Sequence, residues 1–193
     1  MKLNEAYWTE RYDSGQMGWD IGYPSTPIRE YIDQLENKSL RILIPGAGNA
    51  YEAEYLYHHD FSEVTVIDLS KAPLDRLSER CPEFMGDQLV HGDFFDHFGE
   101  YDLILEQTFF CALNPSLRAQ YIDKMQSLLA PAGKLVGVLF NIPLNSDRPP
   151  FGGAKEEYVR LFEQQFFLNT FDECYNSIPP RQGSELFIHC TSK

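Results

Sequence analysis

Leu40-Arg41-Ile42-Leu43-Ile44-Pro45-Gly46-Ala47-Gly48-Asn49-Ala50 joins a β-rich run to a glycine turn, and a helical stretch through Glu54, Leu56 and Tyr57 follows. A Gly-x-Gly element gains meaning from this placement between a strand and a helix. Gly46 and Gly48 allow a tight turn and a close approach of backbone to a ligand, with a helix N-terminus just behind. In open α/β sheets ligands lie beyond the carboxyl ends of the strands, where the strand order reverses.

Outward from this stretch the chain alternates strand and helix. Val64–Ile67 reads as the next strand and Lys71–Arg80 as the next helix. Leu89–His91 and Tyr101–Leu105 read as third and fourth strands. Pro115 opens a helix in which Leu117, Tyr121, Met125 and Leu128 recur at helical spacing, and Pro131-Ala132-Gly133 is expected to end it. Lys134–Phe140 is a fifth, almost wholly apolar strand. Short apolar strands alternating with helices predict right-handed crossovers and a mainly parallel sheet covered on both faces. The tail departs from this rhythm. After a helix near Tyr158–Phe162, Phe166–Cys174 and Glu185–Cys190 flank Pro179-Pro180 and Gly183, which predicts an antiparallel pair.

Upstream, the segment 1–23 carries Tyr7, Trp8, Tyr12, Trp19 and Tyr23 among Gly15, Gly18 and Gly22, and reads as a short helix followed by an irregular loop. Ser25 is the expected N-cap of a second helix with Pro27 in its first turn and Ile28, Ile32 and Leu35 on one face. No linker or internal repeat divides the 193 residues, so a single domain spanning 1–193 is expected, large enough to bury roughly 70% of its unfolded surface. The 43% hydrophobic and 23% charged content excludes a disordered or fibrous chain. Sixteen Lys and Arg against 29 Asp and Glu give a net charge of −13, which argues against nucleic acid or an anionic membrane as partner. Cys81, Cys111, Cys174 and Cys190 form no CxxC pair and read as small buried hydrophobes. No apolar run is long enough for a signal peptide core or a membrane span, so a cytoplasmic location is expected.

Asp68 ends the second strand, where a carboxylate can accept both hydroxyls of a ribose. Asp93 follows the third, where it can take an adenine amino group while Phe94 covers the ring. A dinucleotide fingerprint would need Gly or Ala at the position of Tyr51, and Glu52 and Glu54 place negative charge in the first helical turn. A pyrophosphate cofactor is disfavoured on both counts; a neutral or cationic ligand suits the site better.

The glycine loop with Asp68 and Asp93 resembles the Rossmann-like methyltransferases that use S-adenosylmethionine. Trp8-(x)3-Tyr12-(x)6-Trp19-Asp20-(x)-Gly22, Ile44–Gly48, Gly92-Asp93-Phe94-Phe95, Phe109-Phe110-Cys111-Ala112-Leu113-Asn114-Pro115 and Pro149-Pro150-Phe151 are similar to the thiopurine S-methyltransferase family, which includes plant-type halide and thiol methyltransferases. The likeness runs from residue 8 to about residue 187. It implies an α/β, Rossmann-like three-layer fold whose seven-stranded, mostly parallel sheet ends in an antiparallel hairpin. It also implies that segment 1–36 forms a lid over the cofactor.

By position, the resemblance assigns Trp8, Tyr12 and Trp19 to that lid, where aromatic faces attract a desolvated sulfonium. It places Gly46, Gly48, Asp68, Asp93 and Phe94 at the cofactor. Gln107 falls where the family contacts the methionine end or the reaction site. The thiopurine enzymes carry Arg there and the halide enzymes Tyr, so Gln107 weighs against an anionic thiopurine-like acceptor. Arg181, in Ile178-Pro179-Pro180-Arg181-Gln182-Gly183, is the one cation expected near a small-molecule acceptor, and Phe110, Tyr23 and Phe151 either shape its pocket or pack in the core. Soft nucleophiles such as thiols, thiopurine-like sulfur or halides need no general base. Accordingly no catalytic residue is assigned among His58, His59, His91, His97 and His189. No metal-ligand spacing is read, because the adjacent His58 and His59 diverge on a helix. Two rivals stay open on the residues alone: a non-catalytic domain binding S-adenosylmethionine or its homocysteine product, and a nicotinamide-dependent oxidoreductase.

Overall fold

The computed structural model describes residues 2–82, 84 and 86–193; Met1, at the head of the expected lid segment, lies outside them. Seven strands form one sheet: β1 (Ile42–Pro45), β2 (Val64–Asp68), β3 (Leu89–His91), β4 (Tyr101–Gln107), β5 (Leu129–Phe140), β6 (Phe166–Glu173) and β7 (Glu185–Ser192). Their order is β3-β2-β1-β4-β5-β7-β6. The first five are parallel, with Ile42 opposite both Val64 and Leu103. β7 inserts antiparallel between β5 and β6, pairing Val138 with Phe187 and Phe171 with Ile188. The expected mostly parallel sheet with an antiparallel end is therefore the observed one. No helix among the described residues is long and apolar enough to cross a membrane.

Alternation along β1 distributes the core. Ile42 and Ile44 belong to one apolar cluster and Leu43 to another, on opposite faces of the sheet. The first face is covered by α2 (Thr26–Ile32), α3 (Tyr51–Tyr57) and α4 (Lys71–Arg80), through residues such as Ile28, Ala53 and Leu77. The second is covered by α5 (Arg118–Leu128) and α6 (Lys155–Phe162), which contribute Tyr121, Met125, Tyr158 and Phe162. With both faces of β1 buried, its sequence reads as an uninterrupted apolar run.

Two local expectations shift. Pro131-Ala132-Gly133 does not separate helix from strand, because α5 already ends at Leu128 and β5 begins at Leu129. Leu129 pairs with Tyr101, and the register then slips so that Leu103 meets Lys134. The three residues form an irregularity inside β5, with Ala132 at φ 60. Ser25 stands at the N-cap of α2, but its side chain makes no capping bond there. Its hydroxyl is used elsewhere, at the end of β4.

Candidate active site

Strand order reverses between β1 and β4, and the chain leaves both strands on the same edge of the sheet. There the glycine loop turns with Gly46 at φ +71 and Gly48 at φ +56, left-handed values that side chains rarely adopt. A Cβ at Gly46 would also run into the Phe109 ring, which lies over the loop. Gly46 N–H donates to the Ile67 carbonyl at 2.8 Å.

Asp68 ties the loop to the end of β2. Its Oδ2 accepts from Ala47 N at 2.8 Å and its Oδ1 from Ser70 N at 2.7 Å. Burial pushes its pKa up to about 6, although both backbone bonds oppose the rise. An ionised carboxylate has about four lone-pair directions, so two backbone donors leave capacity for a ligand's hydroxyls. Ser70, not Asp68, caps α4 by accepting from Ala72 N.

The N-terminal segment packs against this loop. α1 (Glu5–Asp13) is capped by Asn4, whose side chain accepts from Tyr7 N. It presents Trp8 and Tyr12 edge-on to Trp19, with ring centroids 5.8 and 5.5 Å away. Tyr12 is buried, and burial drives its hydroxyl pKa upward. Asn49 of the glycine loop donates to Asp20 at 2.6 Å, and Arg76 of α4 reaches the Tyr12 carbonyl at 2.9 Å. Trp19 Nε1 is buried without an acceptor among the described residues.

Between the N-terminal segment, the loop and the sheet edge lies a cavity of about 890 Å³. Trp8, Tyr12, Trp19, Gly46, Gly48, Asp68, Asp93, Phe94, Gln107 and Arg181 all line it, gathered from segments far apart in sequence. Asp93 is exposed and its carboxylate accepts from Phe95 N at 2.9 Å, closing an Asx turn. Phe94 packs edge-on to Phe109 at 5.3 Å.

Phe110 does not line the cavity. It is fully buried between Tyr121, Tyr158 and Phe162, so the expectation that it shapes the acceptor pocket is corrected. Phe151 is likewise buried away from it, whereas Tyr23 is in its wall. Phe109 takes the place expected of Phe110, because the turn after β4 sends consecutive aromatics to opposite sides. Thr108 makes that turn at φ 58, and Glu106 fixes it. Glu106 is fully buried; its carboxylate accepts from Phe110 N at 3.1 and 3.2 Å and from the Tyr121 hydroxyl at 2.7 Å. Burial raises its pKa to about 7. Its one sequence signal was a charge inside an apolar strand.

A polar group around Ser25 was also missed. Ser25 Oγ donates to Gln107 Oε1 at 2.7 Å, and Ser25 N–H donates to Glu52 at 2.8 Å. Glu52 is buried in the cavity wall, and burial raises its pKa against the opposing charge of Arg181. Arg181 donates to the Trp19 carbonyl at 3.0 Å and pairs with buried Glu185 at 3.4 Å.

Aromatic walls, an orphan indole N–H, a glycine loop at positive φ and the wall carboxylates Asp20, Glu52, Asp68 and Asp93 suit a nucleoside bearing a cationic group. These residues fit S-adenosylmethionine.

Known proteins agree. "Probable thiol methyltransferase 2" of Arabidopsis thaliana is 28% identical over 184 residues, covering 92% of this chain and 81% of that protein. Thiocyanate methyltransferase 1 of Brassica oleracea is 26% identical, covering 95% and 83%. Among solved structures, the fold is similar to Burkholderia thailandensis 1,6-didemethyltoxoflavin-N1-methyltransferase, with TM-score 0.78 at 17% identity, covering 98% of this chain and 87% of that one. That neighbour holds S-adenosylhomocysteine and 1,6-didemethyltoxoflavin. The family model of thiopurine S-methyltransferase matches residues 3–187, and with that extent the chain belongs to the thiopurine S-methyltransferase family of S-adenosylmethionine-dependent methyltransferases.

Proposed function

We propose that this methyltransferase moves the methyl group to a small soft nucleophile (a thiol, a thiopurine-like sulfur or a halide) by in-line displacement. The observation that carries the reading is the cavity wall: Phe109, Phe140, Ile142 and Pro149 make it apolar beside the glycine loop, and among the described residues no histidine lines it. A nucleophile that is reactive without a base needs only orientation and the exclusion of water.

Bound S-adenosylmethionine supplies an electrophilic methyl group on a good leaving group. The chain's own residues hold and shield it. Asp68 accepts the ribose hydroxyls while keeping its bonds to Ala47 and Ser70. Asp93 and Phe94 meet the base, and Trp8, Tyr12 and Trp19 cover the cationic end and keep water out. Gln107, oriented by Ser25, borders the place where the acceptor enters. Arg181 holds Trp19 over the acceptor side.

One domain provides the whole site, and acceptors are small enough to fit under the lid. The −13 charge supports a reading without nucleic acid or membrane as partner. The four cysteines, buried and joined by no disulfide, support a reducing, cytoplasmic setting.

Incubating the purified chain with S-adenosylmethionine and, separately, iodide, hydrosulfide and an aryl thiol tests the reading by gas chromatography of the methylated product. Turnover of at least one acceptor is expected. Tight cofactor binding by calorimetry with no product from the whole panel would reject the soft-nucleophile assignment.

A further inference from the structure

A second constellation lies outside the cavity, where α3 and α4 end side by side. Glu54 and His58 are one helical turn apart, and the His58 N–H to Glu54 carbonyl bond of 3.1 Å keeps the α-helical path through both. Cys81 terminates α4, its N–H donating to the Leu77 carbonyl at 2.7 Å. The carboxylate, imidazole and thiol ligand atoms of Glu54, His58 and Cys81 lie within 4.8 Å of one another. The neighbouring His59 is turned away: its ring lies on Tyr55 at 4.0 Å and its Nδ1 meets the Tyr55 carbonyl at 2.8 Å. This tertiary grouping was invisible to sequence spacing, because the thiol comes from a different helix.

We propose that Glu54, His58 and Cys81 form a binding site for a divalent, borderline-soft metal ion such as Zn2+. Carboxylate and thiolate bring two negative charges toward a divalent cation, the carboxylate's shared with Arg80. Thiolate with imidazole selects Zn2+ over the hard cations Mg2+ and Ca2+. Three protein ligands leave a fourth tetrahedral position to water. The exposed His58 opens the site to solvent, while Cys81 is only 1% exposed and forms its floor. Arg80 Nε donates to Glu54 Oε2 at 2.8 Å, which uses one of the two carboxylate oxygens and holds the group in place. On binding, the Cys81 S–H bond gives way to a sulfur–metal bond and the proton passes to solvent, so affinity rises with pH. The chain's net charge of −13 favours cation capture generally. The site is independent of the methyl-transfer reading.

Titrating the metal-stripped, reduced chain with Co2+ and then Zn2+ tests the proposal. One equivalent of Co2+ is expected to produce thiolate-to-metal charge-transfer absorption in the near ultraviolet, and Zn2+ to displace it. Cys81→Ser removes that absorption. His58→Ala, an exposed change that leaves the fold intact, weakens binding at least about tenfold. Absence of the charge-transfer band, its persistence in Cys81→Ser, or unchanged affinity in His58→Ala would each overturn the site. Circular dichroism of Cys81→Ser separates ligand loss from misfolding, and His58→Ala decides the matter if that variant does not fold.

Discussion

Arg181 donates to the main-chain carbonyl of Trp19 across 3.0 Å, so the loop before the last strand is tied to the N-terminal segment. The same guanidinium lies between Glu185, 3.4 Å away, and the influence of buried Glu52. Replacing it therefore does two things at once. Arg181→Ala is expected to loosen the lid, weakening cofactor binding by about tenfold. It also leaves Glu185 buried without its cation, at a cost on the order of 3 kcal/mol. Calorimetry and chemical denaturation measure the two effects separately. Unchanged affinity with lost stability would show that Arg181 serves the fold and not the lid.

Asp68→Asn keeps the shape of the side chain but removes its charge and half of its accepting capacity. Cofactor affinity should fall about tenfold or more. In the wild type, with Asp68 near pKa 6, the carboxylate form accepts hydroxyl donors and the acid form does so poorly. Binding should therefore tighten as pH rises through about 6, and this step should vanish in Asp68→Asn. A calorimetric pH series checks it.

Glu106 predicts an unusual pH response of stability. Its pKa is about 7 in the fold against an ordinary 4.5, because burial disfavours the charged form. The folded chain therefore holds a proton that the unfolded chain has released between these values. Stability from this group is complete below the unfolded value and declines as pH rises through the folded one, by on the order of 3 kcal/mol. Urea denaturation of the cofactor-free chain should show this slope. Glu106→Gln, which cannot titrate, should flatten it, and a slope unaltered in that variant would assign the effect to other groups.

Adjacent phenylalanines should behave oppositely. Phe109→Ala opens the cavity beside Gly46 and should weaken cofactor or acceptor binding while costing little stability. Phe110→Leu removes volume from a core fully enclosed by Tyr121, Tyr158 and Phe162, and should cost about 1–2 kcal/mol with binding nearly unchanged. Thermal melts and cofactor titrations of both variants distinguish them; the reverse pattern would place Phe110 in the pocket after all.

Gly46→Ala meets two obstacles, a left-handed backbone angle and the Phe109 ring. The backbone alone costs about 1–2 kcal/mol. Displacing Phe109 should add a loss of cofactor affinity, which Gly15→Ala, at positive φ in open space, should not show. Equal affinities in both variants would refute the role given to the close contact.

Most of the architecture was legible because local physics writes it into the chain. Apolar runs covered on both faces marked β1, β4 and β5, and helical spacing of Tyr121, Met125 and Leu128 marked α5. The glycine loop and Asp68 followed from their places at strand ends, and Arg181 was singled out as a cation near the site. What the residues alone did not show was partnership. Ser25 stands at a helix N-cap as its sequence context indicates, but its hydroxyl's acceptor, Gln107, lies on another element. Arg181 could be singled out by position, but its bonds to the Trp19 carbonyl and to Glu185 are made only by folding. Phe109 and Phe110 are indistinguishable in sequence, and only the turn set by Glu106 and Thr108 decides which ring meets the cavity. Glu54, His58 and Cys81 meet only because α3 and α4 end together. Periodicity and turn chemistry act between near neighbours along the chain, so sequence determined the strands, the helices and the glycine turn. Hydrogen bonds, ion pairs and ligand sets form between surfaces brought together by burial, so the tertiary structure decided which side chains face one another.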